Sequence, residues 1–385
     1  MTPARRLALA GFAALTAANG IGRFIYTPIL PSMIEELDLT PGDAGLIAGA
    51  NFLGYFLGAW TAASPRLPGK MRHWMLWSLL ITAITTTVMG LVTAMPAFLL
   101  LRFIGGAASA FVLVLASTLI LERLSALHRS DLAAWHFAGV GAGIVLSALL
   151  IELLHALHFG WRSMWLGGGA ISLLAVLIVI SVMPAGTPTR PIFRGAHALD
   201  RSAPLMPLIV AYGLFGFGYI ITATFIVVIV RGSPEIRSYE YAIWLVVGLC
   251  AIPSISLWSA LAGRFGVLRA FALACVAEAV GVMASVVCLD IFGLLLAAIL
   301  LGGTFMGITA LGLIAARALA PNAERQALAK VTAAFGVGQA VGPVIAGYGF
   351  DITGSFLLAS TLAAAGLVVA SLLALRLGRL SRASP

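Results

Sequence analysis

Asn19-Gly20-Ile21-Gly22-Arg23-Phe24-Ile25-Tyr26-Thr27-Pro28-Ile29-Leu30-Pro31 lies inside the first long apolar run of the chain. Arg23 is a charge where hydrocarbon is expected. Such a charge is expensive in a bilayer, so it usually faces a bundle interior, a water-filled cavity or a partner group. Gly20 and Gly22 let a neighbouring helix approach closely. Pro28 and Pro31 interrupt the helical hydrogen-bond ladder, which membrane helices tolerate beside protein or a cavity. Thr16, Asn19, Arg23 and Tyr26/Thr27 recur at spacings of three and four residues. They make one polar stripe on an oily helix, and that stripe needs a polar place to point.

The rest of the chain supplies a membrane setting. Of 385 residues, 61% are hydrophobic and only 10% charged, against about 25% charged in soluble domains. This balance excludes a soluble core and predicts an all-α polytopic membrane protein. The net charge of +9 is spread over short loops, which argues against a nucleic-acid partner and for the positive-inside pattern. Cys250, Cys275 and Cys288 fall singly in apolar runs and suggest neither disulfides nor a metal site. Arg5 and Arg6 before an apolar run imitate a signal peptide, but the run continues into the polar stripe and reads as a retained first span.

A span needs about 20 apolar residues. Twelve fit: 7–30, 44–63, 74–94, 97–121, 132–154, 163–183, 205–230, 241–262, 267–288, 291–316, 328–350 and 355–377. With the N-terminus inside, eighteen of the 23 Lys and Arg residues fall on the cytoplasmic side. Only Arg162, Arg231 and Arg237 fall outside, while Arg23 and Arg102 lie within spans. Both termini are therefore expected in the cytoplasm, and the protein in the plasma (inner) membrane as a multi-pass chain. The longest connection, rich in Pro and Arg, separates an N-terminal half (1–190) from a C-terminal half (204–385), with 191–203 as the central cytoplasmic loop.

The halves repeat. Gly20 and Gly22 match Gly216 and Gly218 at an offset of 196. Gly69 matches Gly266, Gly105-Gly106 matches Gly302-Gly303, and Gly139-Val140-Gly141 matches Gly336-Val337-Gly338, each at 197. Matches in order at one offset indicate a six-plus-six duplication with parallel repeats.

The whole chain resembles the major facilitator superfamily, a known example of paired parallel halves. The stretch Gly20 to Pro31 is most similar to its YbfB/YjiJ-type branch. Gly263-Arg264-Phe265-Gly266 resembles the family's D-R-x-G cytoplasmic loop, with Gly263 in place of the Asp. The loop after the second span, Pro65 to Arg72, keeps Gly69 and basic residues but no Asp. Arg102 followed by Gly105-Gly106 resembles the family's arginine motif of the fourth span. Gly338-Gln339-Ala340-Val341-Gly342-Pro343 resembles the G-x-x-x-G-P antiporter motif, displaced from span 5 to span 11. The resemblance implies a transporter rather than an enzyme, working by alternating access on a small-molecule solute. No cofactor, metal or second protein is implied, and the working unit is expected to be a monomer in the lipid bilayer.

Candidate solute contacts are Arg23, Arg102, Asn19 and Tyr26, with Asn51 and Tyr55 on span 2. Tyr212, Tyr219 and Thr222 lie on span 7, Thr332 and Gln339 on span 11. Tyr219 and Thr222 match Arg23 and Tyr26 at offset 196. Gly20, Gly22, Gly105, Gly106, Gly139, Gly143, Gly338, Gly342 and Pro343 are candidates for close packing and movement. Gly69, Arg264 and Gly266 mark the loops. Glu152, Glu278 and His136 are the proton-coupling candidates; Asp351 reads as solvated. The competing readings are snorkelling for the arginines, helix glue for Gln339 and a structural protonated acid for Glu278. Two arginines without a matching cavity carboxylate favour a small anionic or carboxylate-bearing solute. The alternatives are a drug or metabolite efflux antiporter, and a membrane receptor or assembly protein on the same fold. An intramembrane enzyme would need a close acid, base or metal set, and none is visible.

Overall fold

The computed structural model describes residues 2–64, 67–183 and 205–383. Pro65, Arg66 and the central connection 191–203, with Arg190, Arg194 and Arg201, lie outside the described residues. The described chain is almost wholly helical. Its twelve long helices are α1 (Pro3–Leu37), α2 (Pro41–Ala62), α3 (Met71–Met89), α4 (Met95–Ala126), α5 (Ala133–Ala156) and α6 (Trp161–Val182). The second six are α7 (Met206–Arg231), α8 (Glu240–Phe265), α9 (Val267–Val287), α10 (Ile291–Leu319), α11 (Glu324–Thr353) and α12 (Leu357–Ala383).

Ten of these are long and apolar enough to cross a membrane. The two others, α2 and α3, are long enough but less apolar, through glycines, Asn51 and Tyr55 in one and His73 and four threonines in the other. Both run alongside spanning helices. Gly54 and Gly58 of α2 lie on the α4 backbone at Phe103 and Ala107, and α3 packs between α4 and α6 through Thr85 and Thr87. The fold is thus twelve transmembrane helices in two parallel six-helix repeats.

Local chemistry sets the helix starts. Thr40 and Asp43 form a capping box at α2, with Pro41 in the first turn. Asp290 caps α10 by accepting from the Gly293 N–H at 2.7 Å. The outer surface is apolar; its exposed tryptophans Trp60, Trp74, Trp77 and Trp135 all lie at the end where α2 finishes and α3 and α5 begin. A girdle of this kind sits at a membrane–water interface.

Packing refines the repeat. Gly106 lies against the backbone of Asn51, and Gly302 against the backbone of Val247. Both steps are 196 residues, so Gly302 is the packing equivalent of Gly106 rather than of Gly105. The pairing at 197 read from sequence is one residue out here, because contact between helices selects the glycine that faces the neighbour.

The first helix is not continuous. A helical segment Pro3–Leu15 passes into a π-helical turn, Thr16–Ile21, in which the Gly22 N–H donates to the Ala17 carbonyl at 2.8 Å. Residues 22–25 form a turn, and a second helical segment, Tyr26–Leu37, begins beyond it. Pro28 then falls in the first turn of a new segment, where its missing N–H costs little. Pro31 lies inside that segment and leaves the Thr27 carbonyl without its ladder donor.

Candidate functional site

Arg23 sits at that break and is 6% exposed. Its guanidinium lies over the rings of Tyr55, Phe52 and Phe24, 4.2, 4.8 and 5.1 Å from their centroids. Cation–π attraction at a desolvated site is worth about 2 kcal/mol. Nη2 donates to the Tyr219 hydroxyl of the opposite half at 3.4 Å. Gln339 Nε2 donates a short hydrogen bond to the same hydroxyl. Arg23 Nε, Gln339 Oε1 and Asn19 Oδ1 are buried without a partner. Among the described residues, no carboxylate lies within ion-pair distance of Arg23. Among the described residues this buried cation is held by ring faces and tyrosine hydroxyls rather than by a counter-charge, an expensive arrangement in a bundle interior.

Arg102 does something else. It is 4% exposed, and its two terminal nitrogens donate to the carbonyls of Gly22 and Arg23 at 3.0 and 3.1 Å. Its guanidinium also lies 5.0 Å from the Tyr26 ring. These carbonyls belong to the broken turn: Thr27 N–H is drawn to Phe24 O at 3.3 Å rather than to Arg23 O. Arg102 replaces the lost ladder donors and so holds the Arg23 backbone in place. Asn51 locks Arg102 in turn, donating from Nδ2 to its carbonyl at 3.0 Å, while its Oδ1 is unpartnered.

The other expected contacts are divided. Tyr55 joins Arg23 as its closest ring. Tyr26 donates to the Ala44 carbonyl at 2.9 Å, tying α1 to α2. Tyr212 donates to the Thr309 carbonyl at 2.9 Å and stacks on Phe335. Thr222 is buried with its hydroxyl unpaired, and Thr332 is half-buried. The sequence reading missed the aromatic company of Tyr219: Phe215, Phe305 and Phe335 stack around it from α7, α10 and α11.

The packing residues meet backbone. Gly20 lies against Gly143, Gly139 against Phe12, Gly338 against Gly213 and Phe217, and Pro343 against Gly45 across the halves. Gly342 packs on Phe217 and Ile220; Gly22 meets Thr82, and Gly105 meets Thr85. In the two repeat-related loops, Gly69 and Gly266 both have positive φ, 81° and 90°, a conformation that suits glycine. Arg264 rests over the Phe265 ring at 5.3 Å.

The three proton-coupling candidates lie apart. Glu152 is exposed at the end of α5. His136 is fully buried beside Gly11 of α1, its Nε2 paired with Ser117 Oγ at 2.9 Å and its Nδ1 unpaired. Glu278 is 1% exposed; one carboxylate oxygen takes a short hydrogen bond from Thr304 and the other has no partner.

Polar contacts between halves run from Arg23 toward the end of α1 at Leu37. Thr27 donates to the Ala223 carbonyl at 2.7 Å, and Trp244 Nε1 to Ser147 Oγ at 3.3 Å. Arg231 forms a two-pronged pair with Glu240 at 2.6 and 2.7 Å, and also reaches Ser32 and Glu35 at 3.2 and 3.1 Å. Arg237 adds a 2.9 Å bond to Glu35. Asp351, read from sequence as solvated, is exposed yet accepts the Gly42 N–H at 3.1 Å, so α11 caps the start of α2.

Comparison with known proteins fits this architecture. A family model described as "Uncharacterised MFS-type transporter YbfB" matches residues 15–375. The uncharacterized MFS-type transporter YceJ of Bacillus subtilis (strain 168) is 27% identical over 225 residues, covering 54% of each chain. The chain spans about half the length of the curated relatives it matches. Among solved structures, the nucleoside transporter NupG has a TM-score of 0.72 at 17% identity, covering 98% of this chain and 100% of that one. A bacterial homolog to the human lysosomal transporter Spinster, inward-facing and occupied, has a TM-score of 0.70 at 16% identity, covering 99% and 98%. At such identities the structures speak for the fold alone, while the family match spans nearly the whole chain: it belongs to the YbfB-type family of MFS transporters.

Proposed function

We propose that the chain moves a small anionic, carboxylate-bearing solute across the bacterial inner membrane by alternating access, coupled to protons. The observation that carries this reading is Arg23: buried between the halves, without a carboxylate partner among the described residues, and with Nε unpaired. Arginine's planar fork matches a carboxylate. Tyr219 and Gln339 complete the contact from the second half, and Asn19 Oδ1 and Thr222 are polar neighbours along the same helices. Arg102 is a positioning residue that fixes the Arg23 backbone.

The halves, residues 1–190 and 204–385, move as units joined by 191–203, and one chain is the working unit. Both termini face the cytoplasm, as the loop arginines favour. The contacts around Arg231 then close the outer end, which supports a state open to the cytoplasm. Glu278 is the preferred proton carrier of the three candidates, because it alone is a buried acid with a free oxygen. Proton coupling offsets the cost of moving an anion against the membrane potential, about 2.3 kcal/mol per charge per 100 mV.

Proteoliposomes loaded with a panel of carboxylates, with and without an inward proton gradient, test the reading. Uptake of at least one anion is expected in wild type. Arg23→Lys keeps the charge but loses the fork and should slow uptake; Arg23→Ala should abolish it with membrane insertion intact. Wild-type rates in Arg23→Ala, or a cationic substrate, overturn the reading.

A further inference from the structure

We propose that the groove between α9 and α12 binds an anionic phospholipid, its phosphate held by arginines at one end and an acyl chain laid along the apolar walls.

α12 runs antiparallel beside α9, and its Gly378 packs against Leu268 at the start of α9. Next to this contact lies a groove of about 260 Å³, against roughly 30 Å³ for one water. Phe265, Arg269, Leu273 and Val276 line one side, and Ser371 and Leu375 the other. Leu273, Val276 and Leu375 are 52%, 45% and 37% exposed, so the groove opens outward, to the lipid. Apart from Arg269 and Ser371 its walls are apolar.

Charge gathers at one end. Arg269 lies in the first turn of α9 and forms part of the wall. Arg379 follows Leu375 by four residues, as Leu375 follows Ser371, so it continues the same face of α12. Arg264 rests over the ring of Phe265, itself part of the wall, and Arg376 is exposed on the adjoining turn. Among the described residues, none of these four arginines has a carboxylate within ion-pair distance. α12 contains no Asp or Glu. The one acid of α9, Glu278, is buried about 14 Å along the helix from Arg269 and bonded to Thr304.

The heights match a phospholipid. At 1.5 Å per residue α9 is about 31 Å long, close to the thickness of the hydrocarbon core, so Arg269 stands at its edge. Arg376 and Arg379 lie about 29 and 33 Å along α12 from Leu357, at the same edge. Phosphates occupy that level, and the groove runs inward from it at the depth of the acyl chains. With the termini inside, this is the cytoplasmic leaflet, where basic pockets between helices attract anionic head groups. A guanidinium also matches phosphate oxygens with its planar fork. A general bias of charge toward this side does not explain the arrangement: α6, the repeat equivalent of α12, has no basic residue in its last turn. A zwitterionic lipid would bring an ammonium group against the arginines and lose the preference.

The full-length protein in detergent is titrated with dioleoyl phosphatidylglycerol or dioleoyl phosphatidylethanolamine, and bound lipid is counted by native mass spectrometry. Each arginine near the surface accounts for about fivefold in affinity, so phosphatidylglycerol should bind about tenfold or more tightly than phosphatidylethanolamine. The double variant Arg269→Gln/Arg379→Gln should remove that advantage, whereas Arg5→Gln/Arg6→Gln, which deletes as much charge elsewhere, should leave it unchanged. Val276→Trp fills the groove without altering charge and should weaken phosphatidylglycerol binding severalfold. Glycerol 3-phosphate, an anion without acyl chains, should not displace the lipid. Equal affinity for the two lipids, equal loss in the two charge variants, unchanged binding in Val276→Trp, or displacement by glycerol 3-phosphate overturns the proposal. On the wild-type protein, phosphatidylglycerol with a photoreactive acyl chain should cross-link to α9 and α12. Cross-links confined to other helices overturn the proposal even where the variants fail to fold.

Discussion

Arg23 and Tyr219 are joined by a 3.4 Å hydrogen bond across 196 residues, which is also the offset that matches Gly20 and Gly22 with Gly216 and Gly218. Thr27 with Ala223 and Glu35 with Arg231 repeat that separation. A residue that touches its own repeat equivalent must lie at the two-fold axis relating the halves. Helices α1 and α7 therefore face each other along that axis, and the break in α1 places a cation on it. The repeat has diverged there: one half supplies the guanidinium and the other the phenol.

Arg102 should matter to stability as well as to transport. Arg102→Ala leaves the Gly22 and Arg23 carbonyls unpaired, at about 1–3 kcal/mol for each buried group. Arg102→Lys restores the charge but not the two-pronged reach. Thermal unfolding in detergent should show Arg102→Ala as clearly destabilised and Arg102→Lys as intermediate. An alanine variant as stable as wild type would remove the helix-break account.

The Arg231 cluster should hold one end of the bundle shut. Its buried pair with Glu240 would cost about 3–5 kcal/mol to break from one side. The bonds to Glu35, half exposed at 49%, are weaker. In a background with the three native cysteines replaced, a thiol introduced by Thr27→Cys lies behind this cluster and should label slowly. Adding Arg231→Gln should speed labelling severalfold, and Glu35→Gln should do so less. Unchanged rates in both would show that the cluster does not gate that end.

Two glycines make opposite predictions. A Cβ on Gly20 would collide with the backbone of Gly143 and Val140, whereas a Cβ on Gly303 meets nothing within 4 Å. Gly20→Val should lower stability by about 3 kcal/mol or prevent assembly, since backbone cannot yield as a side chain does. Gly303→Ala should be neutral or stabilising by up to about 1 kcal/mol. Yield of monodisperse protein and its melting point check both; a well-folded Gly20→Val would contradict the observed α1–α5 contact.

Glu278→Gln separates coupling from binding. The amide keeps the bond to Thr304 but carries no exchangeable carboxyl proton. Accumulation driven by a proton gradient should fall to the level of passive equilibration, while exchange of labelled for unlabelled solute continues. Gradient-driven accumulation at the wild-type level would exclude Glu278 as the proton carrier and return attention to His136.

Much of the architecture was written in the sequence because it depends on local composition. Runs of about 20 apolar residues set the helices; most ends in the structure fall within a few residues of the expected ones, while α3 stops five residues early at Met89 and α4 and α12 run on to Ala126 and Ala383, and α1 departs most. There the segment continues to Leu37, since the break ahead of Tyr26 makes Pro28 harmless. The polar stripe of α1 was equally legible, as helical spacing alone places Asn19 and Arg23 on one face. What Arg102 does was not legible: its partners are carbonyls 79 and 80 residues away, freed by a local break that no periodicity reveals. Nor was the ring stack, since Phe305 and Phe335 in apolar runs look like any lipid-facing residue until α7, α10 and α11 converge. The sequence determined how many helices form and which of them carry charge. Tertiary packing decided which charge is spent on holding the backbone and which is left free, because that depends on groups brought together across the whole length of the chain.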